Sequence, residues 1–492
     1  MTQKLTEKHR PQFHFSPEEK WMNDPNGMVY FEGEYHLFYQ YHPSDTIWGP
    51  MHWGHAVSKD LIHWEHLPVA LHPDEHGTIF SGSAVVDWNN TTGFFDDEPG
   101  LVAIFTHHDM YPETDTVRQR QSLAYSHDKG RTWIKYEGNP VLSDPSMTDY
   151  RDPKVFWHEP TSKWIMILAT GQCVTLYTSS NLIDWEFASQ FGDHDGSHAG
   201  FWECPDLFPL QVDQDPSNQK WVMIVSIGDT GEFSEGSRTQ YFIGDFDGTT
   251  FKNDNDAKNV LWLDYGRDNY AGVSWSDIPD SDGRRIYLGW MSNWRYANLV
   301  PTTDWRGAMT LPRELNLVST TNGIRLIQKP VTEVNSLREN GFHHDEEVIV
   351  NTHPLSITLD DALQEINIEV ENIDSSVIDC VIKHSNKEET LIRYDTEKEE
   401  LTVDRTNSGE HSFSSSFQAI QHAPLSMVHN RIKLQVFLDT SSIEVFANDG
   451  IATITSLIFP TEGSKKLELS SQRGSVKIHS LQLTKLTSIW SE

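Results

Sequence analysis

A short phrase recurs along the first half of this chain. Ser58-Lys-Asp-Leu-Ile-His-Trp64 returns as Ser179-Ser-Asn-Leu-Ile-Asp-Trp185, and more loosely as Ser126-His-Asp-Lys-Gly-Arg-Thr-Trp133. Repeats roughly 50 to 70 residues apart suit a four-stranded sheet copied radially, since one blade cannot bury both its faces and a closed ring of blades can. The surrounding pattern agrees. Aromatic and β-branched runs such as Tyr35–Tyr41, Leu101–Thr106, Trp164–Ala169 and Trp221–Ile227 alternate with Gly, Pro, Asn and Asp clusters, and helix signals are scarce. The expected class is all-β, opening with a β-propeller; a regular sandwich is the alternative, and the repeated Trp argues for the ring.

The texture changes after about Leu317. Trp vanishes until Trp490, while Ser, Thr, Glu and Ile rise. Arg431–Phe459 alternates apolar and polar residues, and Asn448-Asp449-Gly450 is a tight hairpin signal inside it. This predicts a C-terminal antiparallel β-sandwich packed against the propeller. The expected boundaries are a propeller over 1–325, a linker over 326–345 and a sandwich over 346–492. A chain of 492 residues exceeds what one core serves, and 17 Trp, 15 Tyr and 23 Phe supply apolar material for two.

Charge narrows the partners. With 38 basic against 72 acidic residues the formal charge is −34. Nucleic acid and anionic membrane surfaces both require basic patches, so neither is an expected partner. A neutral sugar fits; homo-oligomerisation stays open. No apolar run approaches the roughly 18 residues of a spanning helix. The opening MTQKLTEKHRPQF has no hydrophobic stretch after its charges. It predicts a cytoplasmic address, or secretion if a leader was removed. Cys173, Cys204 and Cys380 are widely spread without CxxC and read as free thiols.

No cofactor and no metal are expected. His52, His55, His63, His66, His72 and His76 crowd one segment, but the i, i+3 spacing of HWGH puts His52 and His55 on opposite faces of a strand.

Three acids stand in turn-like contexts: Asp24 in WMNDPNG, Asp152 in RDP and Glu203 in WECPD. Two carboxyl groups facing each other across a sugar are the minimum equipment for cutting a glycosidic bond. Pro25 biases Asp24 toward extended backbone and Asn26-Gly27 permits a sharp turn, so a strand-end turn pointing Asp24 into a central funnel is expected. Phe201 and Trp202 flank Glu203 and are expected to limit its solvent, which favours its protonated form. Cys204 reads as a packing residue.

WMNDPNG, FSGS (Phe80–Ser83), RDP and WECPD occur in that order, with DYGRDNYAG (Asp264–Gly272), LGWMSNW (Leu288–Trp294) and SSIEVFANDG (Ser441–Gly450) further on. Together they resemble glycoside hydrolase family 32, the invertase, inulinase and levanase group. The resemblance covers nearly the whole chain. It implies a five-bladed propeller followed by a β-sandwich, and a retaining β-fructofuranosidase acting on terminal fructose of sucrose and fructans, with fructosyl transfer as a side outcome. It assigns Asp24 as nucleophile, Glu203 as acid/base and Asp152 as transition-state stabiliser. It also carries substrate contacts to Asn23, Gln40, Trp48, Phe80, Ser81, Arg151, Tyr270 and Trp290. Residue types alone leave two alternatives: an inverting propeller glycosidase on arabinan or xylan, and a non-catalytic sugar binder on the same scaffold.

Overall fold

The computed structural model describes residues 5–490 apart from 97, 340, 345, 346, 360, 361 and 464. Strands dominate it; the short 3-10 helices are Glu159–Thr161, Ala297–Leu299, Thr332–Leu337 and Asn448–Gly450. The N-terminal half is a β-propeller. Its first three sheets start from Lys20–Phe31, Thr78–Asp87 and Arg151–His158. A nine-stranded sheet follows, and a parallel pairing of Val212 with Leu317 joins its two halves, which start from Trp202–Val212 and Tyr270–Ser274. These starting strands pack one on the next, and Tyr270–Ser274 packs back on Lys20–Phe31. The arrangement is consistent with five blades.

The recurring Trp phrase is a turn. In each copy a Ser and an Asp or Asn cap the loop between the third and fourth strands of a sheet, as when Asp60 Oδ1 accepts from the Ile62 and His63 amides. The indoles of Trp64, Trp133 and Trp185 then donate to the Leu61, Gly130 and Leu182 carbonyls at 3.1, 3.0 and 2.9 Å. The phrase thus marks blade corners, which is why it returns once in each of the first three sheets.

A second repeat sits at the centre. Each innermost strand carries a register break near its start: Met22/Pro25, Ile79/Gly82, Arg151/Lys154, Glu203/Asp206 and Tyr270/Val273. Such bulges re-aim side chains and leave amides unpaired. The ring uses amides at these breaks or just beyond them. Gly82 N donates to Asn26 Oδ1 (3.2 Å), Val155 N to Ser83 Oγ (3.0 Å), Cys204 N to Asp152 Oδ2 (3.0 Å) and Ser274 N to Asp206 Oδ2 (2.7 Å). Ser276 N closes the ring on Met28 O at 2.9 Å. Asp24 therefore sits in a bulge within a 12-residue strand and not in the strand-end turn expected for it. Gly27 permits the kink: its φ is +53°, and a Cβ there would lie 2.6 Å from the Phe38 ring.

The C-terminal half is a sandwich of a seven-stranded and a six-stranded sheet around an aliphatic core including Ile366, Ile382, Val436, Ile454 and Leu467. The alternating stretch forms Arg431–Leu438, Ser442–Ala447 and Ala452–Leu457, successive antiparallel neighbours. Gly450 (φ +89°) turns the expected hairpin; a Cβ there would come within 1.9 Å of the Gln328 carbonyl of the propeller. The stretch 326–345, expected as a linker, holds the end of propeller strand Gly323–Pro330, the helix Thr332–Leu337 and Phe342–His344, which pairs with the sandwich strand Val476–Lys485. Positions 340 and 345 lie outside the described residues.

A buried charge network spans the two halves. Glu444 accepts from Arg313, from His14 Nε2 (2.7 Å) and from the Leu311 amide (2.8 Å). Arg313 also donates to Asp264 at 3.0 Å, and His14 Nδ1 lies 2.7 Å from Asp439. Burial pushes His14 down, but its bonds to Asp439 and Glu444 outweigh this and hold it at about 9. Stability from that proton is fully present below the ordinary histidine range and is lost as pH rises through about 9.

Candidate active site

The central bulges converge on one cavity of about 310 Å³, lined by Asn23, Asp24, Gln40, Trp48, Phe80, Ser81, Arg151, Asp152, Phe201, Glu203, Asp229 and Trp294. The three acids come from three different blades: Asp24 from Lys20–Phe31, Asp152 from Arg151–His158 and Glu203 from Trp202–Val212.

Asp24 is held at both oxygens. Its Oδ2 accepts from Ser81 Oγ at 2.7 Å and its Oδ1 from Asn23 Nδ2 at 3.0 Å, while the Trp21 indole fixes Asn23 at 2.7 Å. Burial, then the charge of Glu203, pushes Asp24 up to about 6 against those hydrogen bonds. Asp152 stands in left-handed backbone (φ +63°) with its amide on Thr106 Oγ1 at 3.0 Å. Burial raises it to about 7, with Arg151 opposing and the charges of Glu203 and Asp24 adding. Both aspartates thus bind protons in the folded state above the ordinary carboxylate range, Asp24 up to about 6 and Asp152 up to about 7. Their contribution to stability falls as pH rises through that window, the reverse of a salt-bridged acid.

Glu203 is held differently. Its side chain keeps 19% exposure, Oε1 accepts from Arg151 Nε at 3.2 Å and Oε2 accepts from the Tyr270 hydroxyl. The guanidinium of Arg151 lies 5.2 Å over the Phe201 ring, so Phe201 shields this corner as expected. Trp202 does not: it is fully buried in the propeller core and donates to the Ser197 carbonyl at 2.9 Å. Cys204 does more than pack. Its thiol lies 3.6 Å from both Asp24 Oδ2 and Asp152 Oδ2, and burial, followed by those anions, pushes it well up, so it is a proton donor to them and not a thiolate.

Of the contacts expected from the sequence, Asn23, Gln40, Trp48, Phe80, Ser81 and Arg151 line the cavity. Tyr270 is 1% exposed and reaches it only through its bond to Glu203. Trp290 is completely buried behind the wall, its ring 4.9 Å from Trp294 and 6.0 Å from Trp21. The wall position belongs to Trp294, four residues on in the same LGWMSNW motif. Asp229, paired with Arg295 at 3.1 Å, lies on a turn with no motif of its own.

His55 is buried against Phe38 (4.0 Å) and His36, whereas His52 turns to the Pro50 carbonyl and His72. Among the described residues no group of three His, Cys, Asp or Glu side chains is placed to hold a metal ion. Among them, too, no helix is long and apolar enough to cross a membrane.

Comparison with known proteins agrees over the full length. The N-terminal domain of glycosyl hydrolases family 32 matches residues 14–330, and the family's C-terminal domain matches 333–485. A levanase of Bacillus subtilis (strain 168) is 53% identical over 489 residues, covering 98% of this chain and 71% of that protein. A levanase of Bacillus sp. (strain L7) is 40% identical over 511 residues; this chain spans 53% of its length and 99% of its own. The crystal structure of exo-inulinase from Aspergillus awamori superposes with a TM-score of 0.90 at 36% identity, covering 98% of this chain and 99% of that one. With bulged acids, propeller, sandwich and family match in agreement, this chain is a glycoside hydrolase and belongs to glycosyl hydrolases family 32.

Proposed function

We propose that this enzyme removes terminal β-D-fructofuranosyl units from fructans and sucrose with retention of configuration. Asp24 is the nucleophile, Glu203 the acid and then the base, and Asp152 the stabilising anion. The observation that carries this reading is the shared cavity of the three acids, whose volume of about 310 Å³ suits one sugar ring and not a threaded polymer.

In the first step an Asp24 oxygen bonds to the anomeric carbon, the glycosidic C–O bond breaks, and the Glu203 proton goes to the departing oxygen. Ser81 and Asn23 hold the Asp24 carboxylate so that little motion is needed to attack. Asp152, fully enclosed, accepts hydrogen bonds from sugar hydroxyls that strengthen as positive charge grows on the ring. Having given its proton to the departing oxygen, Glu203 is a carboxylate and then takes a proton from water. That water bonds to the anomeric carbon and Asp24 leaves. A sugar hydroxyl in place of water gives fructosyl transfer.

The test is product analysis with sucrose, inulin, levan and sucrose phosphate, with the first-formed anomer read by NMR before mutarotation. Fructose released as the β-anomer is expected. Inverted product, or activity found only when arabinan or xylan is supplied in their place, would replace this reading with the inverting alternative.

Because Asp24 must be ionised to attack and Asp152 must be an anion to stabilise the developing charge, kcat/KM is expected to fall on the acid side through about 7 and about 6. Ser81→Ala removes a bond that favours the anion and so moves this limb to higher pH. A pH–rate profile with an unmoved limb would show that another group controls it.

A further inference from the structure

Gln119 and Gln121 stand two apart on Val117–Ser126, the third strand of the second sheet, so their side chains share one face. Across the ladder Gln119 faces His108 and Gln121 faces Thr106, both on Gly100–Met110. None of Gln119, Gln121 and Thr106 lines the catalytic cavity, and all three are buried. Amides this enclosed need partners, and here the partners belong to the next blade. Gln119 Oε1 accepts from the Tyr150 amide at 2.8 Å and from Arg151 Nη1 at 3.3 Å. Its Nε2 lies 3.3 Å from Nδ1 of His108, whose ring stacks on the cavity residue Phe80 at 4.0 Å. Gln121 Nε2 donates to the Tyr150 carbonyl at 2.7 Å, and its Oε1 accepts from Thr106 Oγ1 at 2.7 Å. That same hydroxyl accepts the Asp152 amide at 3.0 Å. One glutamine thus takes the N–H of Tyr150 and the other its C=O. Tyr150's own blade offers little here, because its strand begins at Arg151, pairs it with Ala169 and breaks register before Lys154. Asp152 stands in that break with φ +63°, a conformation that persists only where neighbouring groups over-determine it.

We propose that Gln119 and Gln121 are positioning residues of the reaction, a pair of amides on one blade that aims Arg151 at Glu203 and fixes the backbone presenting Asp152. The proposal rests on the roles given above to Glu203 and Asp152. The two amides act on different acids. Gln119 holds the Arg151 guanidinium, whose Nε meets Glu203 Oε1 at 3.2 Å, so it acts on the proton donor. Asp149 also accepts from Arg151, but its side chain is 45% exposed and solvent screens that pair, whereas Gln119 is enclosed. Gln121 acts through Thr106 on the Asp152 amide, and so on the anion that answers charge growing on the sugar ring.

The experiment reads kcat/KM on sucrose and on a nitrophenyl fructofuranoside for wild type, Gln119→Leu, Gln121→Leu and Glu203→Gln. A nitrophenolate departs without a proton, so a misaimed donor matters on sucrose and little on the activated substrate. Gln119→Leu is expected to lose ~10-fold or more on sucrose and ~3-fold at most on the activated substrate, the cost of a displaced catalytic group. Gln121→Leu is expected to lose ~10-fold on both, since charge develops on the ring with either leaving group. Melting curves report whether each variant is folded. Where Gln119→Leu is not, Gln119→Glu keeps the acceptor and the volume but draws the guanidinium away from Glu203, and the same split between substrates is expected. Gln119 variants that lose equally on both substrates, or lose nothing, overturn the proposal and leave the amides as supports of the fold. A Gln121→Leu enzyme as active as wild type overturns the arm that reaches Asp152. Glu203→Gln losing equally on both substrates instead removes the proton donor itself, a failure of the fructosidase reading that is distinct from a Gln119 failure, in which Glu203→Gln alone shows the split.

Discussion

Glu203→Gln is expected to lower kcat on sucrose by ~10²–10⁴-fold, the range for loss of a positioned proton donor. Asp24→Asn should fall at least as far, since an amide does not attack the anomeric carbon. The two losses differ in kind, and a substrate with a good leaving group separates them. A nitrophenyl fructofuranoside departs without protonation, so the Glu203→Gln enzyme recovers its first step on it, whereas Asp24→Asn stays inactive on both. Equal losses on both substrates for Glu203→Gln would remove it from the proton-donor role. Because Arg151 and Tyr270 keep hydrogen-bond partners when Glu becomes Gln, the substitution preserves shape and tests charge and proton alone.

Arg313→Met is expected to cost about 3–5 kcal/mol of stability without touching the cavity. Arg313 is completely buried and its guanidinium meets Glu444 of the sandwich, Asp264 of the propeller, Gln328 and Thr455. Methionine fills much of the volume but leaves two enclosed carboxylates with less compensation, and that penalty dominates over any gain in apolar burial. Thermal unfolding followed by fluorescence should show the loss as a lower melting temperature. The deficit should deepen as pH rises through about 9, where His14 gives up its proton between Asp439 and Glu444. A variant melting with wild type across that range would mean that the two halves are held by apolar packing alone, through residues such as Phe437, Phe446, Leu486 and Trp490.

How much of this was legible in the letters depends on the length scale of the signal. The Trp phrase could be read because one turn needs the same Ser, the same Asp or Asn and the same indole each time. The central bulges are harder to read, because a bulge is a backbone event that different residues satisfy: Asp24-Pro25, Asp152-Pro153 and Cys204-Pro205 place a proline at the break, whereas Ser81-Gly82 and Ala271-Gly272 place a glycine there. The acids were readable as motifs, but which of them is buried was not. Enclosure falls on Asp152, which is buried, while Asp24 and Glu203 stay half-open to the cavity and Trp202, adjacent to Glu203 in sequence, points into the core. Trp294 and Asp229 were missed for a related reason. A strand's last residue, Trp290, turns inward, and only the chain's path after it decides which aromatic reaches the wall. The bridge from His14 through Glu444 to Arg313 joins residues hundreds of positions apart, and no local pattern announces it.

The stitched central strands imply a division of labour open to engineering. Each strand rests an amide at or just past its kink on a neighbouring strand, so the shelf that presents an acid is defined by backbone and by one neighbouring acceptor. Tenants of the shelf that are not themselves acceptors, such as Phe80 or Trp294, can be exchanged without disturbing the seams. A redesign of sugar preference should therefore vary those tenants freely and leave Asn26, Ser83 and Asp206 untouched, since losing any of these three would open the ring itself.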